Sequence, residues 1–269
     1  MQTKLKQKIE LFRSSSLHEV VPFRVAAYAV GPDGRLTVPY LVRMLQEAAM
    51  VNTVRLKVSS PELIEHFGLS WILRRQRIEC FTLPRMGQEV QVITAPSGFA
   101  RRLQTFRDFH LLDARTGAHL ATATSQWLLM DVASRRLRPI PDYIAALSDD
   151  LAPAAAQLER PEGKVAPPAH PHRTWTNHVG YHDLDFNGHL TNPVFPLYML
   201  EPLRPDFLTT HTPRLLDIDY RAEAHYGNRI TGLAEEGEEG WRHSLTRGEA
   251  LLATMYSEWD PNEKPALRS

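Results

Sequence analysis

The chain has 269 residues, of which 43% are hydrophobic, and this is enough apolar material for one large or two small packed domains. Its 31 basic and 31 acidic side chains cancel, which argues against nucleic-acid binding, and the single cysteine, Cys80, excludes an intrachain disulfide and a cysteine-based zinc cluster. The sequence shows no signal peptide and no apolar run long enough for a membrane helix, so we expect a cytoplasmic protein that does not insert into membranes.

The first half of the chain follows an α+β pattern. It begins with a short strand over 20–29, and an apolar helix over 39–56 follows a turn. Pro39 favours a helix start because a proline at the first helical position lacks only an N–H that would be unpaired anyway. Strand-like runs then cover 71–80, 90–95, 103–112 and 120–130. One helix followed by antiparallel strands predicts a sheet wrapped around that helix.

A segment rich in proline and alanine separates the two halves. Residues 149–172 contain five Pro and six Ala with almost no large apolar residue, so they predict a linker rather than a strand. We therefore predict a first unit over 1–148, this linker over 149–172 and a second unit over 173–269.

The second unit repeats the first. Its strand is predicted over 174–182 and its apolar helix over 193–203. Three segments match in the same order, which predicts an internal duplication. The matches are Gly34–Pro39 with Gly188–Pro193, Ile78–Gly87 with Ile218–Gly227, and Leu120–Trp127 with Leu252–Trp259. The spacing between the first two matches places about 14 extra residues of the first unit within 55–69.

The richest polar segment of the sequence precedes the second helix. Asp185, Asn187 and His189 stand at i, i+2 and i+4, a spacing that puts three side chains on one face of an extended segment. Asn192 occupies the predicted N-cap before Pro193, where free backbone N–H groups favour negative charge. A carboxylate, an amide and an imidazole at such a place suit the hydrolysis of an activated acyl group. Alternatively, Asp and Asn only form the turn and cap the helix.

The duplication bears on this choice. The first-unit counterparts of the polar set are Gly31, Asp33, Arg35 and, for Asn192, Val38. Residues that only make a turn would be needed in both copies. The polar set is intact only in the second copy, which favours one catalytic site per chain. Glu223 has Leu83 as its counterpart, and it is either an exposed strand carboxylate or a partner of His189.

These segments resemble the acyl-acyl-carrier-protein thioesterases of plants and bacteria. Residues 183–192, Asp-Leu-Asp-Phe-Asn-Gly-His-Leu-Thr-Asn, are similar to the D-L-D-x-N-x-H-x-N-N motif of that family, with Thr191 in place of Asn. Residues 220–223, Tyr-Arg-Ala-Glu, resemble its Y-R-x-E segment. Plant members often carry Cys after that Glu, whereas this chain has Ala224, so a covalent cysteine mechanism is not expected at that position.

The resemblance implies a tandem hotdog fold and hydrolysis of fatty acyl thioesters on acyl carrier protein, without cofactor or metal. Asp185, Asn187, His189 and Glu223 would be catalytic, with water as the nucleophile. The first unit would hold the acyl chain along its helix, and the expected pocket residues are Met44, Ala48, Val51 and Trp71. A basic region over 71–138, with 11 basic and 5 acidic residues, would dock the acidic carrier. Its candidate docking residues are Arg74, Arg75, Arg101, Arg102, Arg135, Arg136 and Arg138.

Other functions stay open at this point. A non-catalytic acyl-binding module, an acyl-CoA thioesterase or a hydratase would share the fold, and the chain could be a monomer or a homodimer. His178, His182, Asp185 and His189 could suggest a metal, but the segment lacks the helical H-E-x-x-H spacing and has no cysteine. The absence of G-x-S-x-G, G-x-G-x-x-G and Walker motifs disfavours α/β-hydrolases, Rossmann enzymes and P-loop NTPases.

Overall fold

Eleven strands form a single antiparallel sheet in the computed structural model, which describes residues 2–262. Met1 and residues 263–269 of the predicted second unit therefore lie outside the described residues. The strands are β1 Glu19–Arg24, β2 Leu69–Cys80, β3 Glu89–Ala100, β4 Gln104–Asp113, β5 His119–Asp131, β6 Leu137–Arg138, β7 Arg173–His178, β8 His211–Tyr220, β9 Arg229–Glu236, β10 Trp241–Arg247 and β11 Ala250–Pro261. The helices are α1 Gln2–Phe12, α2 Val38–Arg55, α3 Ser60–Phe67, α4 Asp142–Ala145, α5 Val194–Leu200 and α6 Pro205–Thr210.

The strand order repeats about the middle of the sheet. From the centre outward the first half reads β2-β5-β4-β3-β1 and the second half reads β8-β11-β10-β9-β7, while β6 pairs with β5. The halves join where β2 pairs with β8, from Arg75 opposite Asp219 to Glu79 opposite Leu215. This order confirms the predicted α+β tandem hotdog and the duplication behind it.

A repeated Ser-x-Trp motif has the same structural role in both halves. The indole Nε1 of Trp127 donates to Ser125 Oγ at 2.7 Å, and that of Trp259 donates to Ser257 Oγ at 2.8 Å. The serine and the tryptophan of this motif therefore make the same hydrogen bond in both copies of the duplication.

Helices α2 and α5 share one hydrophobic core beneath the sheet. Leu41 and Leu45 of α2 and Met199 of α5 are almost completely buried in the same cluster as Ile218 and Met255 of the second-half strands. Because each side chain of this size contributes about 1.5–3 kcal/mol on burial, the shared core holds the two halves together. Helix α5 ends at Leu200, three residues before its predicted end.

Helix α3 lies between α2 and β2, at the place that α6 occupies between α5 and β8. Ser59 and Glu62 make a reciprocal capping box at its start, and Gly68 ends it in a left-handed conformation at φ 64°. Because α2 has 18 residues and α5 has 7, most of the extra length of the first half lies in α2, before the predicted range 55–69.

The segment over 149–172 contains no strand, as predicted, but it is packed against the sheet. Ala152 and Ala156 are buried in a second core cluster with Phe12 of α1, a helix that the sequence analysis did not predict. Arg160 donates to Ser97 Oγ at 2.8 Å and to Asp108 Oδ1 at 3.2 Å. The connection is thus fixed by buried contacts along its length. No helix among residues 2–262 is long and apolar enough to cross a membrane.

Candidate active site

The polar segment before α5 forms a tight turn rather than the predicted extended stretch. The backbone N–H of Asp185 donates to His189 O at 2.8 Å, and Gly188, at φ 74°, donates to Asp185 O at 3.0 Å. Asp185 Oδ1 accepts from the N–H groups of Asn187 at 2.8 Å and of His189 at 3.1 Å. The prediction of an extended segment is therefore wrong, because the chain reverses direction between Asp185 and His189.

Asp185 has both of the roles that the sequence left open. Its Oδ1 closes the turn, as expected of an Asp that binds nearby backbone N–H groups. Its Oδ2 makes no hydrogen bond within residues 2–262, and the residue lines a cavity. One carboxylate oxygen is thus structural, and the other is free to contact a ligand.

Two contacts fix the turn on the protein. Tyr198 of α5 donates from its hydroxyl to Asp183 Oδ2 at 2.6 Å, and burial with this contact raises the pKa of Tyr198. On the other side, the N–H of Leu190 donates to Ala224 O at 2.8 Å. The second bond places the neighbouring Glu223 beside the turn.

Glu223 connects His189 to the first half of the chain. Its Oε1 lies 3.4 Å from His189 Nδ1, and its Oε2 pairs with Nη2 of Arg135, which follows β5. Both Glu223 and His189 are partly buried, with side-chain exposures of 28% and 24%. The predicted proximity of Glu223 and His189 is therefore present, and a carboxylate in this position can orient an imidazole.

A cavity of about 120 Å³ joins the turn to the first half. Asp185, Phe186, Asn187 and Asn192 come from the second half, and Trp71 is the one expected pocket residue of the first half that lines it. The apolar remainder of the lining is Ala49, Met50, Val58, Pro96, Phe99, Phe106, Trp127, Ile144 and Leu147. His189 and Glu223 do not line this cavity, although the backbone N–H of His189 donates to Asp185 Oδ1.

The other three expected pocket residues do not line the cavity. Met44 and Ala48 are buried in the shared core, and Val51 is exposed. The face of α2 toward the cavity instead carries Gln46, Ala49, Met50 and Thr53, at the i, i+3, i+4, i+7 spacing of one helix face. Because α2 is apolar on most sides, the sequence could not show which apolar face meets the ligand.

The side chain of Asn192 does not cap α5, contrary to the prediction. Pro193 is the N-cap residue and no side-chain cap forms. The N–H of Val194 donates to Thr191 O at 2.9 Å, and that of Phe195 donates to Asn192 O at 3.3 Å. These backbone donors are used within the turn, so the expected anion site at the helix start is not formed by them.

The candidate docking arginines differ in their surroundings. The prediction that Arg75 lies at the surface is wrong. It is 7% exposed, and its Nε and Nη2 donate to Asp217 at 2.8 and 2.7 Å across the β2–β8 junction. Arg74 is partly buried and pairs with Asp219 and with the carbonyl of Tyr220. The remaining five are exposed, with Arg102 paired to Asp142, Arg138 to Asp131 and Arg135 to Glu223.

Three side chains of the described residues could together hold a cation. Ligand atoms of His189, Glu223 and His225 lie within 4.8 Å of one another, a set different from the histidines that the sequence suggested. Arg135 already pairs with one oxygen of Glu223, and its positive charge opposes a cation there. Cys80 is buried, and burial raises the pKa of its thiol to about 12, so it does not offer a thiolate near neutral pH.

Sequence reasoning missed four residues around the turn: Asp183, Tyr198, Arg135 and Gln46. Asp183 lies inside the motif, and its spacing to the helix gave no hint that it would bind Tyr198. Arg135 was considered only for docking, because its contact with Glu223 spans 88 positions of the sequence. Gln46 was not identified as a site residue, because nothing in the sequence showed that this face of α2 meets the cavity.

Comparison with known proteins agrees with this geometry. Residues 20–147 match the family model of the acyl-ACP thioesterase N-terminal domain, and residues 170–261 match that of the C-terminal domain. Oleoyl-acyl carrier protein thioesterase 1, chloroplastic, of Arabidopsis thaliana is 26% identical over 84% of this chain and 66% of its own length. Dodecanoyl-[acyl-carrier-protein] hydrolase, chloroplastic, of Cinnamomum camphora is 26% identical over 91% of this chain and 68% of its own length.

Two solved structures share the fold. An acyl-ACP thioesterase from Bacteroides thetaiotaomicron has a TM-score of 0.81 and 21% identity over 91% of this chain and 98% of its own. The 12:0-ACP thioesterase from Umbellularia californica has a TM-score of 0.82 and 21% identity over 92% of this chain and 98% of its own. The chain spans about two thirds of the length of the curated plant relatives it matches.

Proposed function

The chain belongs to the acyl-ACP thioesterase family, and from this premise we propose that it hydrolyses fatty acyl thioesters carried on acyl carrier protein. The observation that carries the proposal is the composite cavity. An apolar lining from the first half meets the free oxygen of Asp185 and the amide of Asn187 from the second half. An apolar acyl chain and a polar thioester end need this pairing of surfaces.

Asp185 is the better placed of the two carboxylates to act on the thioester. Asp185 lines the cavity, whereas Glu223 does not line it and contacts His189 and Arg135. In the proposed reaction Asp185 takes a proton from a water molecule as the water oxygen attacks the thioester carbon. The tetrahedral intermediate then loses the carrier thiolate as the C–S bond breaks, and the proton passes to that sulfur. Glu223 orients His189, whose backbone N–H donates to Asp185 Oδ1.

The exposed arginines near the site suit an acidic carrier protein. Arg135 and Arg136 follow β5 at the end of the strand closest to Glu223, and Arg101 and Arg102 project from the turn between β3 and β4. Exposed charges of one sign steer an oppositely charged partner and set its orientation. We propose that these four residues form the docking surface, and that Arg75 takes no part because it is buried.

A single chain supplies every residue of the proposed site. The acyl cavity comes from the first half, the catalytic turn comes from the second, and β2 and β8 join them within one sheet. We therefore propose that a monomer is sufficient for catalysis. Dilution of the enzyme through any dimer dissociation range should leave kcat per chain unchanged.

The proposed function is tested with the full chain and a series of acyl carrier proteins bearing acyl groups of different length. Release of the carrier thiol measures turnover, and the matching acyl-CoA compounds serve as comparison substrates. We expect turnover of at least one acyl carrier with kcat/KM above that of the matching acyl-CoA. Binding of acyl carriers with no thiol release would contradict hydrolysis and favour the acyl-binding module instead.

A further inference from the structure

The carboxamide of Gln46 makes no hydrogen bond within residues 2–262, and its Oε1 is buried. Gln46 lines the same cavity as Asp185, Asn187 and Asn192. Buried polar groups in folded proteins are normally paired, so an unpaired amide next to reacting groups calls for an explanation. A ligand in the cavity can supply the missing partner.

The duplication shows that the fold does not need an amide at this position. Continuing the alignment of Pro39 with Pro193 along the helices places Leu200 opposite Gln46, and Leu200 is a buried core residue. Gln46 lines the cavity together with the intact turn of the second half, whereas Leu200 packs in the shared core. The polar helix residue and the polar turn thus belong to the same composite site.

The proposed reaction still requires donors for the thioester oxygen. The N–H groups of Val194 and Phe195 at the start of α5 already donate to Thr191 O and Asn192 O. A thioester carbonyl only accepts hydrogen bonds, and a glutamine amide offers two N–H donors. Rotation of the terminal amide by a half-turn exchanges its oxygen and nitrogen, so the nitrogen can face the cavity without movement of the helix.

We propose that Gln46 is a catalytic residue that donates from Nε2 to the thioester carbonyl oxygen and stabilises the negative charge that develops there. This inference rests on the proposed thioesterase function and assigns it an oxyanion donor. In this arrangement the first half supplies both the acyl cavity and the oxyanion donor, while the second half supplies the carboxylate.

Three variants test the inference, each measured for melting temperature, kcat and KM on an acyl carrier and on a small acyl thioester. Gln46→Leu removes the amide and keeps its approximate size. Gln46→Glu keeps the shape of the side chain but replaces the N–H donor with a carboxylate oxygen. If Gln46→Leu does not fold, Gln46→Glu tests the inference by itself. Gln76→Leu is the matched control, because Gln76 on β2 also has a buried, unpaired Oε1 but does not line the cavity.

We expect Gln46→Leu and Gln46→Glu to lower kcat about 10²-fold on both substrates, with smaller changes in KM. The melting temperature of Gln46→Leu should equal or exceed that of the wild type, since an apolar side chain replaces an unpaired amide. Gln76→Leu should keep wild-type kcat. The inference is overturned if kcat stays within twofold of the wild type in both Gln46 variants, if Gln46→Glu alone keeps the wild-type kcat, or if only KM changes. A wild-type chain that hydrolyses no acyl carrier would refute the proposed function as well, whereas an active wild type with active Gln46 variants would refute the inference alone.

Discussion

The two halves of the chain build the same turn at equivalent places, but only one turn carries reactive side chains. Each turn is closed by an isolated β-bridge, Val30 with Leu36 in the first half and Leu184 with Leu190 in the second. In the first, the N–H of Gly31 donates to Arg35 O at 2.9 Å, and the second has the corresponding bond from Asp185 to His189 at 2.8 Å. The backbone of the catalytic turn is therefore a property of the hotdog unit rather than of catalysis.

The side chains of the two turns differ in what they contact. Arg35, the counterpart of His189, donates to Thr212 Oγ1 at 2.6 Å and Asn262 Oδ1 at 2.5 Å, and so ties the first turn to the second half. Leu83, the counterpart of Glu223, is buried in the core. The first turn has thus become structural, and the comparison separates residues that the turn requires from those that the proposed reaction requires.

The largest effect is expected from Asp185→Asn. The amide oxygen can still accept the two N–H bonds that close the turn, but the side chain can no longer accept a proton from water. We expect kcat on acyl carriers to fall about 10²–10⁴-fold with an unchanged melting temperature. The position of Asp185 is Gly31 in the first turn, so the control is Asp33→Asn, whose Oδ1 accepts from the N–H of Arg35 in that turn, and it should keep wild-type kcat. Equal losses in both variants would mean that the turn itself, and not its carboxylate, supports activity.

A smaller loss of kcat is expected when the contact between His189 and Glu223 is broken. His189→Ala and Glu223→Gln should each lower kcat about 10²-fold, because each removes one member of the contact that orients the imidazole. The double variant should lose little more than either single variant, since groups that act as a unit are not additive. Independent, multiplying losses would show that Glu223 acts on substrate directly rather than through His189.

An effect of a few-fold is expected on carrier binding. Arg136→Glu reverses an exposed charge near the proposed site, so KM for an acyl carrier should rise about 3–10-fold at low salt and the rise should shrink at high salt. Hydrolysis of a small acyl thioester should not change. Arg115→Glu makes the same charge change at the opposite end of β5 and should leave both substrates unaffected. A similar KM change in both variants would point to overall charge rather than to a docking surface.

The smallest effect is expected on the melting temperature at acid pH. Burial lowers the pKa of His243 to about 4 from an ordinary value near 6.5, so its neutral form stabilises the fold. Because the unfolded chain binds this proton more tightly, that contribution is complete above about pH 6.5 and is lost as the pH falls towards 4. The melting temperature should fall over this range, and less so in His243→Gln. A wild-type melting temperature that does not change from pH 7 to 4.5 would contradict this.

The sequence predicted the parts of the fold that repeat or that follow local rules. The duplication indicated two equivalent units, and Pro39 predicted the start of α2 to within one residue. The spacing between matches gave the number of extra residues in the first half but not their place, since most of them lengthen α2. The identities of Asp185, Asn187 and His189 were sufficient to find the candidate turn. These features depend on residues that are close in sequence, or on similarity between two segments of one chain.

Features that depend on tertiary packing could not be predicted. The cavity face of α2 was missed because its sides are similarly apolar, and Arg75 appeared exposed because its partner Asp217 is 142 residues away. In both cases a contact distant in sequence decided the outcome. The turn at Asp185 differs from these, because it is closed by bonds to residues two and four positions away, and the sequence allowed both a turn and an extended segment.

The most direct test of the account counts the sites on one chain. Asp185→Asn should bind an acyl carrier without hydrolysing it, so calorimetric titration can measure the stoichiometry at equilibrium. We predict one acyl carrier per chain, because only one cavity is lined by Asp185 and Asn187 of the second-half turn. A further Asp33→Asn substitution should not change this number. Two acyl carriers per chain, or hydrolysis that persists in Asp185→Asn, would contradict the claim that the proposed function resides in the second-half turn alone.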